Sequence, residues 1–127
     1  MLYARQSENT LDQVIKKLEA AVAAHKFGIL GVHDLKEKMA AKGVAFDHEC
    51  RVFEVCNPIQ AKKVLDADMS IANALPCRVC VYEQGGKICV STIKPTFMLS
   101  LFHNDKLQDV AKEVEATIIA IIDAACQ

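Results

Sequence analysis

The chain has 127 residues, 15 basic against 16 acidic, for a formal net charge of −1. That length suits one domain with a single hydrophobic core, and 52% apolar with 24% charged residues excludes a disordered chain. The balanced charge offers no general attraction to nucleic acid or to an anionic membrane, so neither is expected as a partner.

The start, "MLYARQSENTLDQ", lacks the apolar core of a secretory signal. The most apolar stretch, "ATIIAIIDAAC", is too short to span a bilayer and carries Asp123. A cytoplasmic protein is expected, with its six cysteines reduced.

In chain order, "LYARQ" is a short strand. Thr10 with Gln13 forms a capping-box pattern. Leu11, Val14, Ile15, Leu18 and Val22 then recur at helical spacing, and Gly28 lies just past the helix end. "FGILGVH" (27–33) reads as a buried strand. A short helix follows over about 34–42, with Asp34 as its cap and Gly43 as its stop. "CRVFEVC" (50–56) is a strand of β-branched and aromatic character. Asn57-Pro58 starts a helix, because Asn caps well and Pro loses no donor at the first helical position; it runs to about Asp66.

"DADMSIANALP" reads as an irregular connection with one helical turn. Val79, Val81, Ile88 and Val90 flank "QGGK", the signal of a hairpin turning at Gly85-Gly86. "KPTFMLSLF" is a turn with a short helical piece. Asn104 is expected to cap a last helix whose stripe runs from Leu107 to Ala125. Strands are mostly neighbours in sequence and helices are few. The fold expected is a two-layer α+β domain over residues 1–127, with helices on one face of a largely antiparallel sheet.

Cys77 and Cys80 form a C-x-x-C, the spacing of zinc knuckles and thiol oxidoreductases. Strand parity separates them: three positions apart, their thiols face opposite sides of a sheet. A second matching pair, which zinc would want, is absent. A two-residue turn sets Val81 opposite Val90, Tyr82 opposite Cys89 and Cys80 opposite Ser91. Cys80 and Cys89 then serve as small apolar side chains. Cys56 precedes the helix start at Asn57-Pro58. Free N–H groups there can stabilise a thiolate or hold an anionic ligand, although strand-to-helix junctions often carry small residues without chemistry. His33, His48 and Cys50 would converge on a metal only if their strands paired suitably; polar strand ends explain them more simply. His25 and His103 read as surface residues. No Walker loop, dinucleotide fingerprint or nucleophile elbow is present.

"HKFGILGVHDLKEKMAAKGV", "VCNPIQAKKVLDAD", "LPCRVCVYEQGGK", "KPTFML" and the long final helix, in that order, resemble the domain-of-unknown-function family numbered three hundred and two. The resemblance implies a compact α+β domain that forms homodimers, and it implies no activity or cofactor. By position it carries the family's signature thiols onto Cys56 and Cys77, with Asn57, Pro58 and Pro76 beside them. Two residues depart from the pattern. Lys94 stands where an acidic residue commonly precedes the proline of "KPTFML", and Glu54 stands where a small residue is usual.

Three functions follow, in order of preference. The first is a homodimeric, non-catalytic module that binds a small molecule or partner protein; its further hint is the wide apolar surface around Ile119 and Ile122. The second is a thiol-based redox or sulfur-handling protein, with Cys56 activated and Cys77 as its partner. The third is a metal or haem protein with ligands from Cys56, Cys77, His33 or His48.

Overall fold

Val79, Val81, Ile88 and Val90 alternate with smaller or polar neighbours on two runs joined by Gly85-Gly86. Both glycines have positive φ, 61° and 78°, as a two-residue turn matched to the twist of its strands requires. The computed structural model describes all 127 residues. In it, β4 (Cys77–Gln84) and β5 (Lys87–Ile93) pair antiparallel in the register read from the sequence, with Val81 opposite Val90 and Cys80 opposite Ser91.

Around this hairpin, β3 (Cys50–Cys56) adds to β4 and β2 (Gly28–Asp34) adds to β3, while β1 (Leu2–Ser7) closes the other side of β5. The order is β1-β5-β4-β3-β2 and every pair is antiparallel. The first and last-placed strands are thus the edges. β2 carries an irregularity between Ile29 and Gly31, which leaves Leu30 turned to solvent at 67% exposure.

Helices α1 (Leu11–Ala24) and α5 (Gln108–Ala125) lie against one sheet face. Phe53, Val55, Val79, Val81, Ile88 and Val90 supply that face, and Val14, Leu18, Ile118, Ile121 and Ile122 meet them. The remaining helices are α2 (Leu35–Ala41), α3 (Pro58–Ala67) and α4 (Pro95–Ser100). Val64 of α3, Leu99 of α4, Ile71, Leu107 and Ala111 form a second, smaller core. The architecture is the expected α+β fold, with an open antiparallel sheet.

Local chemistry explains most element ends. Thr10 and Gln13 complete the capping box of α1, and Asp34 accepts from the Glu37 N–H to start α2. Four expectations shift. The segment 27–33, expected as a buried strand, is the edge strand β2, none of whose residues is fully buried. The "irregular" connection is a 3₁₀ helix from Met69 to Ala74, started by Asp68 accepting from the Ser70 N–H. Asn104 caps a short 3₁₀ turn over Asp105–Leu107, and α5 begins only after it. The wide apolar surface of α5 is largely taken up inside the chain: Ile118, Ile121 and Ile122 are fully buried and Ile119 is half-buried, because α1, α4 and the sheet surround that helix.

Phe53 is 1% exposed at the centre of the larger core. Phe53→Ala should lower unfolding free energy by about 3–5 kcal/mol, measured by urea denaturation. Leu30→Ala, at the exposed bulge, should change it by about 0.5 kcal/mol or less.

Candidate functional site

Asn57 ends β3 and begins α3. Its Oδ1 accepts from the N–H groups of Ile59 (3.0 Å) and Gln60 (3.1 Å), and its Nδ2 donates to the Lys26 carbonyl at 3.3 Å. Pro58 occupies the first helical turn, where its missing N–H costs nothing. Two free donors of the α3 N-terminus are thereby taken by Asn57 and are not directed at the Cys56 thiol. On the neighbouring strand, the Leu75–Pro76 peptide is cis and leads into β4 at Cys77. Val55 pairs with Cys77, so Cys56 lies one residue further on, beside Pro76.

Both thiols line one cavity of about 600 Å³. Its walls come from both cores: Val55 and Cys77 at the sheet end, Val64 on α3, Leu99 on α4, and Val110 and Val114 on α5. Asn57, Gln60 and Pro76 line it too, so four of the five residues singled out in the sequence are on its wall; Pro58 is not. The cavity continues onto the outer sheet face, where His33, Arg78, Cys80 and Ser91 border it. Alternation along β4 places Arg78 and Cys80 on that face, opposite to Cys77 and Val79. Gln60 Oε1 is buried on this wall with no hydrogen-bond partner, the one local polar group left unsatisfied.

Burial decides the state of the thiols. It pushes the Cys77 thiol up to about 11, with the nearby Cys56 adding to the rise, and it also raises Cys56. Burial therefore works against an activated thiolate at Cys56. Loss of hydration outweighs the helix end, whose donors Asn57 has already engaged. Both groups are protonated at neutral pH and act as polarisable wall. All six cysteines are unpaired.

The histidines do not converge. His33 Nε2 lies 2.7 Å from Glu54 Oε1, and the Lys38 ammonium lies 2.5 Å from His33 Nδ1. An ammonium only donates and a carboxylate only accepts, so Lys38 donates to Nδ1 and the Nε2–H donates to Glu54. His48 stays in the loop before β3, with its ring against Phe46 at a centroid distance of 5.3 Å. No group of three or more His, Cys, Asp or Glu side chains is arranged to hold a metal ion.

Two polar contacts escaped the sequence reading. Arg78 stands directly across from Glu54 in the β3–β4 register, yet Glu54 turns to His33. Glu115 of α5 reaches the start of α4, accepting from Thr96 Oγ1 at 2.6 Å and from the Thr96 N–H at 3.3 Å. It places a carboxylate at the start of α4. Neither could be read from spacing, because both depend on how distant segments pack.

The sign of the Cys77 effect sets a pH dependence. The folded thiol holds its proton up to about 11, whereas an ordinary thiol loses it near 9.0. Between those values the unfolded chain binds fewer protons, so stability falls as pH rises. In denaturation series from pH 8 to 11, the wild-type chain should lose stability more steeply than Cys77→Ala.

Residues 3–125 match the family model described as "Domain of unknown function DUF302". The chain is similar to a solved structure described as the uncharacterized conserved protein DUF302 from Bacillus stearothermophilus, with 28% identity and a TM-score of 0.93. That alignment covers 99% of this chain and 98% of the other. No curated protein matches. No helix is long and apolar enough to cross a membrane. With its elements, its Cys-Asn-Pro helix start and its Leu-Pro-Cys strand entry in the family's order, the chain belongs to the DUF302 family.

Proposed function

We propose that the protein is a non-catalytic binding module, and that a small molecule with an apolar body occupies the cavity between the sheet end, α3 and α4. The observation that carries this reading is the cavity itself. Its volume, about 600 Å³, falls within the range of small-molecule sites, as does its mainly apolar wall. The neutral thiols fit the same reading, since protonated sulfur favours apolar contact. The thiol-redox alternative loses its activating feature, because burial raises both Cys56 and Cys77.

The proposal includes a homodimer, which the family resemblance implies. Exposed apolar side chains on the edge strand β2, Leu30 at 67% and Val32 at 48%, support it, since an unpaired edge offers a row of free backbone groups. A cytoplasmic location suits six unpaired cysteines.

The neutral fluorophore N-phenyl-1-naphthylamine tests the cavity. Its emission should rise saturably on titration with the protein. Leu99→Trp, which fills the space from α4, should weaken binding by about tenfold or more while circular dichroism shows the fold retained. Non-saturable emission, or equal binding by the filled variant, removes the reading. Light scattering at micromolar concentration should give the mass of two chains; the mass of one would remove the dimer.

A further inference from the structure

Arg78 is the one arginine or lysine on the cavity wall, and it is without an acidic partner. None of the chain's six ion pairs and none of its side-chain hydrogen bonds uses the Arg78 guanidinium. Its register neighbour, Glu54, is the obvious carboxylate for it. A cross-strand pair of opposite charge would ordinarily form there. Instead the Glu54 carboxylate is drawn to the β2 side, where His33 donates to it at 2.7 Å and Lys38 backs the ring. Gly31 leaves the space for this: a Cβ there would meet Glu54 Oε1 at 3.0 Å. The Arg78 backbone is meanwhile held by Thr92, whose Oγ1 donates to the Arg78 carbonyl at 2.7 Å.

The cavity is consequently polarised. Its inner end, at Val64, Leu99 and Val114, is apolar and faces neutral thiols. Its outer end, on the sheet face, carries one exposed cation beside Ser91 and Cys80, bordered by the apolar Leu2, Val52 and Ile93. A neutral apolar ligand would leave that cation without use. A cationic ligand would be repelled by it. A molecule with an apolar tail and one acidic group matches both ends, because guanidinium pairs with a carboxylate through two parallel hydrogen bonds.

We propose that the cavity binds a small amphipathic acid, with its apolar body between α3, α4 and α5 and its carboxylate on Arg78. This rests on the cavity being a binding site. The test separates the two ideas by titration calorimetry at pH 7.5 with decanoate and with 1-decanol, which share a tail and differ in the head. Decanoate should bind the wild-type protein about ten- to a hundredfold more tightly than decanol, the span expected for a charge-assisted contact. Arg78→Gln should erase that preference and leave decanol affinity within about twofold, since an exposed side chain that only borders the tail site adds little to it. If decanoate and decanol bind the wild type equally, or if Arg78→Gln weakens both alike, the acid inference is overturned and the cavity reading stands. If neither binds, both fall.

Discussion

The packing of α5 is the contact on which the rest of the molecule depends. Its C-terminal half buries Ile118, Ile121 and Ile122 against the sheet and α1. Its N-terminal half buries Ala111 against α3, α4 and the preceding 3₁₀ turns. One helix thereby joins two apolar clusters that otherwise share no element. The same helix is held by polar contacts near its middle and near its C-terminal end. Asp123 accepts from Tyr3 and Arg5 of β1, at 2.5 and 2.9 Å, and Glu115 caps α4. The ion pair at Arg5 is exposed and contributes little by itself; the tyrosine contact and the burial around it fix where the edge strand docks.

The cavity follows from that arrangement. Two cores bridged by one rigid helix cannot close completely on each other. The space left lies where β3 and β4 end and α3 and α4 lean across, with Val110 and Val114 of the bridging helix as its floor. Cys56 and Cys77 reach it because they occupy the last and first positions of paired strands. Their neutrality is a consequence of that placement: a thiolate in a poorly hydrated wall lacks the solvation it would have in water. A sulfur that looks reactive at a helix start in the sequence becomes part of an apolar wall in three dimensions.

Arg78, Glu54 and His33 show the complementary effect on the outer face. A register pairing of opposite charges predicts one contact, and the fold makes another. Glu54 has two candidate donors, one on each side of β3. The glycine at position 31 and the lysine behind His33 tip it toward β2. The cation left over on the cavity rim is a product of this choice.

Much of the local structure was legible in the sequence. The capping box at Thr10, the Asn57-Pro58 start of α3 and the hairpin register at Gly85-Gly86 depend on residues within a few positions of one another, and short-range sterics and hydrogen bonds decide them. The β-branched and aromatic run "CRVFEVC" located β3 to the residue. Strand parity separated Cys77 from Cys80, because an extended backbone turns successive side chains to opposite faces. The placement of β1 beside β5, the enclosure of Ile122, the state of the Cys56 thiol and the contacts of Glu54, Glu115 and Arg78 belong to the tertiary structure. Each is set by competition among groups far apart in the chain, through burial, solvation and the partners that packing brings within reach, and spacing along one segment carries no record of that competition.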